Sequence, residues 1–370
     1  MKIRKHMTRL RLRLPEINNL RTKVLYSSKE NTNSATVAII VPYYNQAQLV
    51  ERNLSSIIDN LESLAELIVI DDASTDKTLD VLLNFIKHLD ANQKSKLVSI
   101  KVLYNQTSEF ETYCDSVSID ICNAKHIIEI QSDMQILQKG FDTKLLSAIC
   151  SDPRLIAVSA RGVQPIIGIL NGYASSLGSV GTNAKSMLVY LLKRVKYHLK
   201  FLSSYLKPRE PLDFSKFEVT HSEEMDANFL STGSAGRLGM KICRPLDKFY
   251  ASKNILYIGE TIMRGPIILD RDKYYEVGGL DVKGFFLGYD EHDLFVRAYL
   301  ECGYRVGFTP LDFSSPLEDG STRKRRTFKN ELQIWIKLLH IRKAKKLTTL
   351  YKLNLENKRL VYSNEIVLYD

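Results

Sequence analysis

Four apolar runs of strand length, Thr36–Val41, Leu67–Asp71, Leu97–Leu103 and His126–Ile130, follow one another within residues 36–130. Helical patterns separate them. Val50, Leu54, Ile57, Ile58 and Leu61 recur at helical spacing after the first run, and Leu79, Leu82, Leu83 and Ile86 after the second. Residues 110–124 put Tyr113, Val117 and Ile121 on one helical face. Apolar runs without a polar alternation are buried on both sides. Repeated β-α units therefore predict an α/β fold, a mostly parallel central sheet flanked by helices. Ser74 or Thr75 is the expected N-cap of the second helix.

The rest of the chain is less regular. Ala157–Ala160 and Ile267–Leu269 read as strands, Asp270–Val277 as a short helix, and Gly278-Gly279 as a turn. Asp290–Cys302 reads as a helix closed by Gly303. Residues 184–206 and 327–346 form two basic amphipathic patterns, and residues 213–255 give no clear pattern. At the amino end Arg9 to Leu14 alternates Arg and Leu until Pro15, and an ordered body is expected from Ala35. The expected organisation is a basic extension over 1–34, a main domain over 35–315 and a basic helical extension over 316–370. Within the main domain, a regular half over 35–135 precedes a less regular half over 136–315.

The formal net charge is +10 and is unevenly spread. Residues 1–23 carry eight Lys/Arg against one Glu, and residues 321–346 ten against one, so the central body is acidic on balance. Basic ends favour an anionic partner such as lipid headgroups or phosphates, and they serve equally as a solvated surface. The two basic helical patterns admit the same two readings: peripheral contact with an anionic membrane, or packing on the core with Lys and Arg reaching water. Five cysteines (Cys114, Cys122, Cys150, Cys243 and Cys302) show no C-x-x-C spacing, which suits free thiols in a reducing cytoplasm. No run approaches the ~20 apolar residues of a membrane-spanning helix, and the amino end has no apolar stretch of a secretory signal. The expected place is the cytoplasm, with a peripheral position at the inner face of the membrane left open.

In an open α/β sheet, ligands bind beyond the carboxyl ends of the strands. Three acidic segments fall at suitable places. Asp71-Asp72 ends the second strand, where a carboxylate accepts from a nucleobase or ribose, or simply caps a turn. Asp133 follows the fourth strand, where one hard carboxylate can share a divalent cation with a diphosphate. Asp290-Glu291-His292-Asp293 opens a helix, which suits the helix dipole and equally a general base for a sugar hydroxyl.

Their order and spacing, from Pro42-Tyr43-Tyr44-Asn45 through Asp71-Asp72-Ala73-Ser74-Thr75-Asp76 and Ile130-Gln131-Ser132-Asp133 to Gly278-Gly279-Leu280-Asp281 and Asp290-Glu291-His292-Asp293-Leu294-Phe295-Val296-Arg297, closely resemble family 2 glycosyltransferases with the GT-A fold. The resemblance covers about residues 35–315. It implies an inverting transfer from a nucleotide-diphosphate sugar to a hydroxyl on a glycan or lipid-linked acceptor, in cell-surface polysaccharide or glycolipid synthesis, with Mg²⁺ or Mn²⁺. It also implies residue roles. Glu291 would be the base with Asp290 beside it, and Asp133 the metal ligand. Pro42, Tyr43, Asn45, Asp72 and Ser132 would meet the nucleotide, and Asp293 and Gly279 the acceptor.

The pattern departs from the family in places. Gln131 stands at the first Asp of D-x-D, Met134 where a further Asp is common, and Ser314 and Ser315 near the usual metal-binding His. Two alternatives follow: a catalytically impaired nucleotide- or glycan-binding protein, or a sugar nucleotidyltransferase. The latter lacks its Gly-rich, basic phosphate loop after the first strand. Nucleic acid is not an expected partner.

Overall fold

The computed structural model describes residues 21–28, 34–161, 163–164, 254–259, 261–262, 264–282, 290–314 and 365–368, with single positions at 188 and 192. In chain order these form β1 (Thr22–Ser27), β2 (Val37–Tyr43), α1 (Val50–Asn60), β3 (Ala65–Asp71), α2 (Thr78–Lys87), α3 (Ala91–Ser95), β4 (Leu97–Asn105), α4 (Glu111–Ile121), β5 (His126–Glu129), β6 (Gln135–Ile136), α5 (Phe141–Cys150) and β7 (Leu155–Ser159). There follow β8 (Val163–Gln164), β9 (Ile255–Gly259), β10 (Thr261–Ile262), β11 (Ile267–Asp270), α6 (Arg271–Glu276), α7 (Asp290–Arg297), β12 (Arg305–Phe308), β13 (Phe313–Ser314) and β14 (Glu365–Leu368). A π-helical turn, Ala298–Cys302, extends α7 and closes at Gly303 in the left-handed region.

The apolar runs are buried on both faces of one sheet. Along β2, Val37, Ile39, Val41 and Tyr43 point into a core shared with α1, α2 and α5, while Ala38 and Ile40 join a second core with α4, α6 and α7. The ten-stranded sheet has the order β1-β4-β3-β2-β5-β11-β7-β12-β9-β14. This is a mixed α/β architecture with a central sheet flanked by helices. The expectation of a mostly parallel sheet needs correction. Strands β4, β3, β2 and β5 run parallel, as do β7 and β12, but every other neighbouring pair is antiparallel. Strand β11 enters between β5 and β7 from a distant part of the chain, so no crossover helix dictates its direction.

Each expected extension lends a strand to this sheet. β1 pairs with β4 on one edge, and β14 with β9 on the other. The alternation at residues 9–14 and the 327–346 helix lie outside the described residues, as does the 184–206 helix apart from Leu188 and Leu192, which are helical and exposed. No described helix is long and apolar enough to cross a membrane.

The N-cap expectation also needs correction. α2 starts at Thr78, where Asp76 accepts from the Thr78 N–H (2.9 Å). Ser74 instead accepts from the Asn45 N–H (2.9 Å), because the loop after β3 is fastened sideways to the loop after β2.

The strand directions define one functional edge. The carboxyl ends of β2, β3, β5, β7 and β12 lie together, and the antiparallel β11 brings its amino end, with Arg264 just before it, to the same edge.

Candidate active site

The loop after β2 is shaped by Asn45, whose positive φ of 52° presents its side chain to the next loop. Its Oδ1 accepts from the Thr75 N–H (2.7 Å) and the Asp76 N–H (3.3 Å). Tyr43, expected at the nucleotide, is 1% exposed and donates its hydroxyl to Asn53 Oδ1. Burial pushes that phenol well above its ordinary pKa. Asn53 Nδ2 donates in turn to the carbonyls of Gln131 (3.1 Å) and Met134 (2.6 Å). Tyr43 thus supports the turn that carries Ser132 and Asp133. Pro42, half-buried, leads into the same loop.

Asp72 is also committed within the protein. It is 2% exposed. One oxygen accepts from Asn105 Nδ2 (2.9 Å) and the Glu109 N–H (2.7 Å), and the other from Ser108 Oγ (2.9 Å) and the Phe110 N–H (3.0 Å). The carboxylate expected at the nucleoside therefore fastens the 105–110 loop, and four donors take up its lone pairs. Its neighbour Asp71 accepts from the Ser74 N–H (2.9 Å), and burial raises its pKa.

The fastened loop leads into α4, and the first turn of α4 touches the other two acidic segments. Gln131 Nε2 donates to Glu111 Oε1 (2.8 Å). Thr112 Oγ1 donates to Asp290 Oδ2 (3.0 Å) across 178 residues of sequence. Residues 109–112 therefore contact the loop after β3, the turn after β5 and the start of α7. Asp133 itself is half-exposed and Ser132 buried. Backbone pairing of β13 with β6 sets Ser314 opposite Gln135, two residues past Asp133.

At the start of α7, Asp290 is 1% exposed and has its pKa pushed up to about 7 by burial first and the Glu291 charge second. Glu291 is half-buried. Asp293, expected at the acceptor, accepts from Arg297 Nε (3.0 Å), and the same guanidinium donates to the carbonyls of Val277 (2.7 Å) and Gly279 (2.7 Å). Gly278 and Gly279, with φ of 90° and 68°, form the turn that Arg297 clamps. Asp293 and Gly279 are thus brought together through Arg297, one turn along the helix from Glu291.

Beneath these segments lies a group absent from the sequence expectations. Arg264 reaches four carboxylates: Glu129 (Nε 2.9 Å), Glu111 (Nη1 3.3 Å), Asp290 (Nη1 3.4 Å) and Asp115, which it contacts through Nη2. Glu129 is pushed up to about 7, chiefly by burial, and Asp115 is raised for the same reason. The signal for this cluster was a single Arg-Gly-Pro before an apolar strand, which by spacing alone says nothing of its partners.

A family model, Glycosyl transferase family 2, matches residues 38–168. Over that stretch the chain is similar to family 2 glycosyltransferases. The stretch takes in β2 to β5, the Asp72 and Asp133 loops and α4, while Arg264 and α7 lie beyond it. No curated protein sequence matches the chain. Among solved structures, the mannosyltransferase PcManGT from Pyrobaculum calidifontis, in complex with GDP-Man and Mn²⁺, is similar at a TM-score of 0.43 and 15% identity, over 80% of this chain and 61% of that one. GalNAc-T7 with UDP, GalNAc and Mn²⁺ gives 0.45 and 15%, over 82% and 48%. S. aureus TarS 1-349 in complex with UDP-GlcNAc gives 0.42 and 13%, over 82% and 66%. The chain thus spans 61% of the length of the mannosyltransferase.

The chemistry open to this edge follows from its carboxylates. The described carboxylates close enough to share a cation are Glu111, Asp115 and Glu129, with ligand atoms within 4.8 Å of one another, and the Arg264 guanidinium already sits among them. Asp133, on the half-exposed turn after β5, is a carboxylate that solvent reaches. One carboxylate does not complete the shell of a divalent ion, so Asp133 fits a metal that arrives with a diphosphate supplying further oxygens.

Proposed function

We propose that the protein is an inverting glycosyltransferase that moves a sugar from a nucleotide-diphosphate donor to a hydroxyl acceptor. The observation that carries this reading is the segment 109–112 at the start of α4, which ties the Asp72 loop, the Gln131–Asp133 turn and the start of α7 to one edge of the sheet, beside the stretch similar to family 2 glycosyltransferases.

The nucleoside would lie against Pro42, Asn45 and the Asp72-fastened loop, and the diphosphate against Ser132 and Asp133. A divalent cation, Mg²⁺ or Mn²⁺, held by Asp133 and the diphosphate would offset charge on the leaving group. Glu291 would take the acceptor proton as its oxygen attacks the anomeric carbon from the face opposite the diphosphate, which inverts that centre. Asp290, beside Glu291 and held by Thr112 and Arg264, would fix the backbone that carries the base, and Asp293 and Gly279 would shape the acceptor side through the Arg297 clamp. A glycan or lipid-linked acceptor at the inner face of a membrane, in surface polysaccharide synthesis, is the biological setting that suits the basic ends.

The test is a thermal-shift panel of UDP-, GDP- and dTDP-sugars with and without Mn²⁺, followed by Mn²⁺-dependent hydrolysis of any sugar that stabilises the protein. A shift that needs both the metal and one nucleotide class, with slow hydrolysis of that sugar, is expected. Metal-independent nucleotide binding without hydrolysis would make the chain a binding protein instead.

A further inference from the structure

We propose that Arg264 is a positioning residue, one guanidinium that fixes the first turn of α7, and with it Glu291, to the carboxyl end of β5. The proposal rests on the reading of Glu291 as the base given above.

The geometry is specific to a guanidinium. The four carboxylates come from three separate elements: Glu111 and Asp115 from α4, Glu129 from β5 and Asp290 from α7. Arg264 is 135 residues from Glu129 and 26 from Asp290 in sequence, yet reaches both. A planar fork of five N–H donors can serve all of these acceptors at once, whereas a lysine ammonium is a single point with three donors. The backbone that presents it is held close. Gly265 packs on Arg161, and a Cβ at 265 would lie 2.8 Å from the Arg161 Cβ. Strand β11 then pairs Ile267 with Glu129 on one side and with Ser159 on the other, so the Arg264 side chain starts at the carboxyl edge of both strands.

Charge explains why the link matters for orientation. Four acids converge in a site where Arg264 is 13% exposed. Without the guanidinium they repel across the gap between α4 and α7, and the first turn of α7 is the element that can give way, with the Thr112 hydroxyl still donating to Asp290. Displacement of a reacting group by about 1 Å costs roughly 100-fold in rate. The carboxylates that Arg264 meets lie on α4, β5 and α7, with Glu111 the one that also holds Gln131, so donor binding should suffer less than turnover.

The experiment compares wild type, Arg264→Lys and Arg264→Gln by amide hydrogen exchange and by turnover of the nucleotide sugar that answers in the panel. Expected are faster exchange in residues 290–297 with β2 and β3 still protected, a kcat lowered roughly 10- to 100-fold, and a donor KM within about threefold of wild type. The effect should be larger for Gln than for Lys. Wild-type kcat together with wild-type exchange in 290–297 for Arg264→Gln would overturn the proposal, as would equal losses of kcat and donor affinity. Should neither variant fold, Asp290→Ala removes the acceptor at the α7 end of the link while keeping the cation, with Thr112→Val as the control for the other tie: faster exchange confined to 290–297 in Asp290→Ala beyond that in Thr112→Val supports it, and exchange no faster than in the control refutes it. If wild type turns over no nucleotide sugar, the transferase reading fails, while the exchange comparison still decides whether Arg264 holds α7.

Discussion

The two sides of the sheet bury acids at the same edge by opposite means. On the side of β4, β3, β2 and β5, Asp72 is met by two backbone N–H groups, an amide and a hydroxyl, all within 38 residues of it in sequence. At the end of β5 and beyond it, Glu129 and Asp290 share one guanidinium, with the Thr112 hydroxyl as a further donor to Asp290, and burial still pushes both pKa values up to about 7. The first solution spreads the load over the backbone of a loop and tolerates loss of any one donor. The second concentrates it chiefly on one residue and leaves protons to make up the difference. A half that holds a nucleotide gains from a fixed loop, and a half that must move a proton gains from carboxyls that titrate near neutrality.

The largest test of that division is at Glu291. Glu291→Gln keeps the shape and removes the base, so turnover should fall roughly 10²- to 10⁴-fold, while the nucleotide-dependent thermal shift stays as in wild type. Loss of the shift along with turnover would mean that the two sides do not divide binding from chemistry. Asp133→Ala should do the reverse first, abolishing the Mn²⁺-dependent part of the shift; a shift that keeps its metal dependence would remove Asp133 from the donor site.

Asp72→Asn probes the backbone solution. An amide presents one acceptor oxygen in place of two, so two of the four donors lose their partner and the new N–H₂ faces them. The expected cost is about 3 kcal/mol of stability, read by urea unfolding, with weaker nucleotide binding because the 105–110 loop loosens. A variant as stable as wild type but unable to bind nucleotide would show that Asp72 meets the ligand directly.

These two sides also differ in how far the sequence announced them. Strands β2 to β5 and helices α1, α2 and α4 stood out because each apolar run is continuous and bounded by turn residues, and the contacts that fold them are local. The sequence resemblance likewise found the acidic segments in order. The Asp72 duty was not visible, since a carboxylate that caps a distant loop has the same spelling as one that holds a base. Helix α5 escaped because Asp142 and Lys144 are buried on it, with Asp142 accepting from the N–H groups of Glu62 and Ser63, so its polar residues do not mark an outer face. β1 escaped because Val24 and Leu25 are exposed and the strand is held by backbone pairing to β4. Arg264 had no periodicity to betray it: its meaning lies in partners up to 153 residues earlier.

Proton sharing in the Arg264 cluster predicts a pH dependence. Glu129 and Asp290 hold protons in the folded state up to about pH 7, whereas unfolded carboxyls release them near pH 4. Between those values the folded state binds more protons, so this cluster's contribution to stability declines as pH rises from about 4 to about 7 and levels off above. Arg264→Gln removes the cation that limits the decline and moves its end to higher pH. The variant should therefore lose more stability, relative to wild type, at pH 8 than at pH 5 by urea unfolding. An equal loss at both values would mean that the guanidinium acts through packing alone.

The smallest expected effect lies at the Arg297 clamp and asks whether the acceptor side depends on backbone as the donor side does. Gly278 has a φ of 90° and open space where a Cβ would go, so Gly278→Ala meets strain and no clash. Forcing a side chain into the left-handed region costs about 1–2 kcal/mol. The turn is held at both ends, since Arg297 donates to the carbonyls of Val277 and Gly279 and the Tyr274 hydroxyl accepts from the Leu280 N–H (3.1 Å). The strain should therefore be borne as lost stability, with donor binding unchanged and kcat within a few-fold of wild type. A loss of turnover on the scale of Arg264→Gln would show that the Gly278-Gly279 turn, and not the guanidinium cluster, sets the placement of α7, because both reach that helix and only one of them touches its first turn.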